Sequence, residues 1–499
     1  MEWWLLLLVI FGCFILLMLT GFPIAFAFLA INIVGAFLLW GGQSGFRQLI
    51  LSIFESVTFF ALLPVPLFIL MGEVLFHSGM GTRMLDSLDT FLGKMPGRLS
   101  LVAVAGGVLI AVLCGNTWAS TAMLGSMLAP EMRSRGYHKV MALGPIMGGG
   151  ALAIIIPPSG MAVVLATLAG VSVGGLLIAG LLPGLVMAAL FVIYIVGRCI
   201  IQPEVAPTYA IRQLTLSQRL MPIVKYVLPL GLIVFSVIGL MLLGLATPSE
   251  SAAFGVLATF VCAAFFKELN WGVIKRSFTG TMRTTTMILM IFCGSTAFSQ
   301  VLSYSGATKG MVNLAVHLPV PPIALLVLMM LVVMFLGMFM DQLSILMITL
   351  PIFMPVCHAL KWDPLWFGLM LLINMSIANL SPPFGIELFV MKGVSPPDIT
   401  MGDVYRASVP FIIMEAMVIA LVIIMPPLAT WLPGVMYCCI CCLQMVHDIL
   451  AYQRDPISPE SITALRLLAA ICCLPSCHGV NPLHLVLGSK GGNGPCFMR

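Results

Sequence analysis

The sequence predicts an all-α polytopic membrane protein built by internal duplication, and three observations carry that reading. Of 499 residues, 61% are hydrophobic and only 8% charged, with a mean hydropathy of +1.14; only a polytopic membrane protein has this composition. Polar interruptions break the apolar runs at Gly115–Asn116–Thr117–Trp118–Ala119–Ser120–Thr121 and at Ile156–Pro157–Pro158–Ser159–Gly160. Both interruptions recur in one gap-free register. At an offset of 225, Pro23 falls on Pro248, Asn116 on Asp341, Pro130 on Pro355, Pro157–Pro158 on Pro382–Pro383 and Gly160 on Gly385. Five landmarks in one register indicate a duplication. Paired interruptions in two halves of a membrane protein point to a transporter's binding site.

In order, the spans are expected at 3–20, 24–41, 61–77, 140–170 and 175–200, then at 224–245, 250–266, 286–303, 365–391 and 408–431. The fourth and ninth break at their Pro-Pro pairs, because two missing backbone donors free upstream carbonyls. Such carbonyls are tolerated at membrane depth only under protein or along a cavity. Met1–Leu19 lacks a basic leader and a small-residue cleavage site, so it reads as a retained first helix. Apolar arms flank the first polar tip over Leu101–Cys114 and Ala122–Pro130, each about 10–15 residues and too short to span. They read as a re-entrant hairpin, with a second at Pro322–Val356. Each tip is expected to meet a broken helix. Segments 46–58 and 268–282 read as interfacial amphipathic arms.

Five spans and one hairpin per half force the two halves to insert upside down relative to each other. Basic residues agree. Arg83, Lys94, Arg98, Arg133, Arg135 and Lys139 flank the first hairpin, and only Lys309 and Lys361 flank the second. Basic loops stay cytoplasmic, so the hairpins should enter from opposite sides and the N-terminus should lie outside. The net charge of +5 therefore reports topology rather than a nucleic-acid partner. The domains are 1–200 (first repeat, hairpin 101–130), 201–223 (cytoplasmic connector), 224–435 (second repeat, hairpin 322–356) and 436–499. That last segment holds eight of the fourteen cysteines. It reads as a metal site, as acylated cysteines, or as an appended or frame-altered tail unrelated to the transport core, and the tail reading is preferred because ligand spacing is unconvincing.

At tip one, Gly115, Asn116 and Thr117 with Ser120 and Thr121 supply uncharged hydroxyl, amide and carbonyl oxygens suited to a hard monovalent cation such as sodium. Small residues there also suit close helix packing. At tip two, Asp341 is an acid at expected membrane depth, which defaults to function; it also suits an N-cap for the arm beginning at Gln342. Carbonyls near Met340, Leu380 and Ser381 are equal candidates. Asn374 and Asn379 suit interhelical hydrogen bonds, Glu250 a helix start, and Glu73 and Glu387 receive no role. No phosphate-binding Gly-Lys-Ser/Thr loop is present, so the chain does not hydrolyse ATP itself. Neither a facing aspartate pair nor a histidine cluster marks a protease, and no enzyme is expected.

The strings Gly-Asn-Thr-Trp-Ala-Ser-Thr-Ala-Met at 115–123, Arg-Gly-Tyr at 135–137, Ile-Ile-Pro-Pro-Ser at 155–159, Ala-Thr-Pro-Ser-Glu at 246–250, Met-Asp-Gln at 340–342 and Ser-Pro-Pro-Phe-Gly at 381–385 resemble the large membrane subunit of the TRAP (tripartite ATP-independent periplasmic) transporters, the DctM family. The resemblance covers about 1–435. It implies an elevator-type ion-transporter fold in the bacterial inner membrane and sodium-gradient-driven uptake of an organic anion, of carboxylate or dicarboxylate class. It also implies two partners, a small four-helix membrane subunit and a periplasmic substrate-binding protein. Carried over by position, one sodium site takes Gly115, Asn116 and Thr117 with Ile156, Pro157 and Ser159. The other takes Met340 and Asp341 with Leu380, Ser381 and Pro382. Ser120, Pro158, Gln342 and Pro383 are placed at the substrate. Tip one departs from the Ser-Gly-Ser-Ser common in the family. Two alternatives stand beside this reading: a receptor-independent anion or proton antiporter of the same fold, and a structural subunit without ion coupling.

Overall fold

The computed structural model describes residues 3–437 except positions 21, 41, 94, 115–116, 208–215, 318, 339 and 384. Those residues are helical or in connecting turns, with no strand among them. Met1–Pro433 forms one compact unit and Gly434–Arg499 a second. The cysteine-rich tail, from 438 onward, lies outside the described residues.

The first half opens with α1 (Trp3–Leu19), α2 (Ile24–Leu39), α3 (Gln43–Val57), α4 (Pro64–His77) and α5 (Met80–Leu92). Hairpin one follows as α6 (Arg98–Cys114) and α7 (Thr117–Ser134). Then come α8 (Lys139–Ala151), the Pro-Pro break, α9 (Gly160–Ala169) and α10 (Val173–Ile201). A short α11 (Leu216–Pro222) leads into the second half: α12 (Leu228–Leu242), α13 (Pro248–Phe265), α14 (Trp271–Tyr304) and α15 (Ala307–His317). Hairpin two is α16 (Pro322–Gly337) and α17 (Gln342–Ala359). After it come α18 (Pro364–Leu380), the second break, α19 (Ile386–Val394) and α20 (Met401–Ile424). The two series follow the same order, with α14 in the place of α3 and α4, and α7 and α17 open at positions 225 apart, Thr117 and Gln342.

Two boundaries differ from the expectation. The arm at 268–282 and the span at 286–303 are one continuous helix, the 34-residue α14. No proline or glycine lies between them, and Thr279 and Thr281 donate their hydroxyls back to the Lys275 and Ser277 carbonyls at 2.8 Å. At the matching place in the first half, Pro64 and Pro66 withhold donors, so α3 and α4 stay separate around a 3₁₀ turn at Phe60–Leu62. The hairpin arms are also longer than the apolar runs, at 17 and 18 residues in hairpin one and 16 and 18 in hairpin two. The helices continue through Pro130 and Pro355, whose cost the surrounding contacts absorb. Seven helical segments among the described residues are long and apolar enough to cross a membrane. Others expected to span, α1 and α2, are 17 and 16 residues, and the two broken spans are each in two pieces. The chain is a multi-pass membrane protein, and large exposed side chains such as Phe235, Phe254 and Leu257 meet lipid rather than water.

Helices α2, α3, α4, α12, α13 and α14 pack mainly on one another, while α6, α7, α8, α16, α18, α19 and α20 pack mainly on one another. The first group is held by apolar packing and a capping box at Thr247 and Glu250 that starts α13. In the second group α6 and α8 approach so closely that a Cβ at Gly107 would sit 2.5 Å from the Gly149 Cα. Only glycine permits that approach, the small-residue packing that membrane helices use.

Candidate functional site

Each polar interruption separates two helices: tip one α6 from α7, break one α8 from α9, tip two α16 from α17 and break two α18 from α19. At break one, Leu152–Ile154 tightens into a 3₁₀ turn, and the Leu152 carbonyl accepts from the amides of Ile155 and Ile156 at 3.2 and 2.9 Å. A cis Pro157–Pro158 bond follows. Ser159 then caps α9, its hydroxyl accepting from the Ala162 amide at 3.3 Å. Every residue from 151 to 160 is buried, so irregular backbone is covered by protein, as membrane depth demands. At the facing tip, Gly115 and Asn116 lie outside the described residues. Thr117 is buried and its hydroxyl has no partner, while Ser120 donates to the Thr117 carbonyl at 3.0 Å.

Break two is more open. Leu380 and Ser381 are buried, the Ser381 hydroxyl donates to the Ile377 carbonyl at 2.7 Å, and the cis Pro382–Pro383 bond follows. Pro382 is half-buried and Pro383 exposed, the Pro383 carbonyl accepting from the Tyr405 hydroxyl at 2.7 Å. At tip two Met340 and Asp341 are half-buried. Asp341 caps α17, accepting from the Leu343 and Ser344 amides at 3.1 and 3.2 Å and from the Ser344 hydroxyl. Its neighbour Gln342 is buried with an amide nitrogen that has no partner. Asn374 bridges helices as expected, donating to the Met330 carbonyl at 2.7 Å. Asn379 does not: it is buried one turn before the break with neither side-chain polar atom paired. An unpaired buried amide is costly enough to need a reason.

The hairpins are shared between halves. The second arm of hairpin one, α7, packs on its own half's α8 and also on α19 beyond the other break; α17 packs likewise on α18 and on α9. Thr121 makes the crossing explicit, donating its hydroxyl to the Glu387 carboxylate at 2.5 Å. Glu387, given no role by the sequence, is fully buried, and so is Glu415 on α20. Glu415 had an available signal, being an acid within an expected span. Glu387 had the same signal, lying within the expected span 365–391.

The donor set around both tips is hydroxyl, amide and carbonyl oxygen. Among the described residues no group of three or more His, Cys, Asp or Glu side chains could hold a metal ion. Orphaned Thr117 and Asn379 oxygens fit a hard monovalent cation better than a transition metal.

The chain is 30% identical over 391 residues to the C4-dicarboxylate TRAP transporter large permease protein DctM of Pseudomonas aeruginosa, covering 78% of this chain and 90% of that one. It is 27% identical to the ectoine TRAP transporter large permease protein TeaC of Halomonas elongata, covering 83% and 96%. In fold it is similar to the Alcanivorax borkumensis YdaH transporter, with a TM-score of 0.56 at 17% identity over 78% of this chain and 89% of that one. The family described as tripartite ATP-independent periplasmic transporter, DctM component, matches residues 11–428, and with the crossed hairpins and paired breaks in view, the chain belongs to that family.

Proposed function

We propose that this chain is the ion-coupled permease of a tripartite uptake system in the bacterial inner membrane, moving an organic anion of carboxylate or dicarboxylate class down a sodium gradient. The observation that carries the reading is the set of buried, uncharged, unpaired polar groups at the two tip–break junctions, Thr117 and Gln342 on the tips and Asn379 beside the second break. Bound sodium would supply positive charge beside an anionic substrate. Thr117 with the backbone at Ile156–Ser159 would hold one ion, with Gly115 and Asn116 alongside. Met340 and Asp341 with the backbone at Leu380–Pro382 would hold the other. Ser120, Gln342, Pro158 and Pro383 are then left to the substrate, for which the Gln342 amide nitrogen is a donor. The C4-dicarboxylate relative supports the carboxylate class. A periplasmic substrate-binding protein would deliver the anion, and a small four-helix membrane subunit would brace the permease.

Two features support an inverted repeat working as an elevator. Ser376 donates to the carbonyl of Ala151 at 3.4 Å, its counterpart 225 residues back; a residue touching its own repeat mate lies near a two-fold axis. The helix packing also gathers α7 and α16 with α8, α18, α19 and α20, and α2, α3 and α13 with α4 and α14, while α17 packs chiefly on α14 and α15; such a partial division suits a moving core beside a fixed frame. Uptake by vesicles holding this chain and its small subunit is expected to need both an inward sodium gradient and the binding protein. Uptake without the binding protein would favour the antiporter alternative, and uptake indifferent to sodium would remove the coupling. Single cysteines beside Lys94 and Lys361 are expected to label from opposite faces, and labelling of both from one face would defeat the inversion.

A further inference from the structure

We propose that Glu387 and Glu415 form a proton-binding site inside the transport core, with at least one of the two carboxyls protonated at neutral pH. The proposal rests on packing alone and does not depend on the sodium reading. Both side chains are fully buried. Glu387 has one hydrogen-bonded oxygen, held by Thr121 at 2.5 Å, and one with no partner. Neither Glu415 oxygen has a partner, and the Ser376 hydroxyl on the adjoining α18 is given to the Ala151 carbonyl instead. Two fully buried carboxyls, each with an unpaired oxygen and no cation paired to either among the described residues, cannot both stay ionised. The surroundings are closed further by Gly150, where a Cβ would sit 2.8 Å from the Glu387 carboxylate oxygen.

The charged groups on the packed elements are all engaged elsewhere or exposed. On α7, Arg133 pairs with Asp398, and Glu131 with Arg135. On α8, Lys139 pairs with Asp403 of α20. On α19, Lys392 donates to the Ile399 carbonyl at 2.6 Å. Helix α18 has no ionisable residue, and α20 adds exposed Arg406 and Tyr405, which is bonded to Pro383. On α10, the Tyr194 ring meets Phe411 edge-on and Arg198 lies in the last turn of the helix. Among the described residues, the hydrogen bond from Thr121 to Glu387 is the one side-chain bond made to either acid.

The step is a plain protonation: a carboxylate takes one proton from the aqueous phase and becomes a neutral acid, with no bond broken elsewhere. Its position matters because α7 belongs to hairpin one and α19 follows break two. A neutral Glu387 suits that closed junction, whereas an ionised Glu387 is a buried charge held by one hydroxyl, with its second oxygen unpaired.

The test is infrared spectroscopy of the full-length chain in lipid nanodiscs, titrated with acid and base. Wild type is expected to show a protonated-carboxyl stretch at neutral pH that is lost in the E387Q/E415Q double variant. Absence of that stretch in wild type, or its persistence in the double variant, overturns the proposal. The single variants E387Q and E415Q guard against misfolding, since glutamine mimics the neutral acid in size and charge. If the folded state holds the extra proton, wild-type melting falls as pH rises, because the native chain binds more protons than the unfolded one. Each single variant is expected to lose part of that fall, and a fall unchanged in both also overturns the proposal. Neither readout needs transport, so failure here is distinguishable from failure of sodium coupling.

Discussion

The two tip–break junctions share a backbone plan and differ in what they expose and carry. Break one is buried from 151 to 160, whereas break two leaves Pro382 half-buried and Pro383 exposed. Chemistry is uneven too. The positions 225 residues before Glu387 and Glu415 are Ala162 and Leu190, and the one 225 after Thr121 is Leu346. The acid pair and its hydroxyl thus exist once, not twice. What the two halves share is the backbone plan, a two-armed hairpin and a helix broken at a cis Pro-Pro pair. Side chains were then free to diverge, so asymmetry between the junctions marks where function resides.

The sharpest way to break this comparison is at Gly150, where a Cβ would lie 2.0 Å from the Thr121 hydroxyl. Its counterpart in the second half is Met375, a large side chain already accommodated and buried. Gly150→Val is expected to abolish uptake and to destabilise by about 1–3 kcal/mol or more through overpacking. Met375→Leu conserves volume and is expected to cost under about 1.5 kcal/mol. Thermal melting of the purified chain measures both, and equal losses would mean that the junctions are equally tight.

Much of this plan was legible in the sequence, because prolines and polar tips leave local marks. The 225-residue register, both hairpins, both breaks, the Glu250 helix start and the Asp341 cap all follow from residue type and spacing. Packing-dependent facts were not legible. The fusion of two segments into α14 needed knowledge that Thr279 and Thr281 would bond within a helix rather than interrupt it. The exchange of hairpins between halves, and with it the Thr121–Glu387 contact across 266 positions, has no local signature at all. Asn379 read as one more interhelical bond, and only the surroundings show that it lacks a partner.

A finer comparison sets Thr117 against Asp341. Thr117→Val keeps the shape and removes an unpaired buried hydroxyl, so the sodium concentration for half-maximal uptake is expected to rise about 5- to 150-fold. This takes a lost contact as about 1–3 kcal/mol and a tenfold change as about 1.4 kcal/mol. Asp341→Asn keeps a good N-cap and removes only charge. Because cap bonds already occupy that carboxylate, a rise near the low end, about fivefold, is expected there. Sodium titrations of uptake, normalised to inserted protein, separate this from packing. Lower yield with unshifted sodium curves would leave both side chains structural.

The smallest expected effect lies at the hairpin bases, which also differ. Hairpin one is tied to the loop before α20 by Arg133, whose guanidinium donates to Asp398 at 2.7 and 3.1 Å. Among the described residues no ion pair ties the arms of hairpin two to another element. The Arg133 hydrogen bonds hold the Asp398 carboxyl below its ordinary range. A carboxylate depressed in the folded state adds stability above its unfolded value, near about 3.9, and loses it as pH falls through the folded value. Asp398→Asn should therefore lower the melting temperature slightly at neutral pH, with the gap from wild type closing in acid. The pair is solvent-exposed and screened, so added salt should shrink the gap as well. A gap that persists unchanged in acid and in high salt would show that Asp398 acts through packing of the loop, not through its charge on hairpin one.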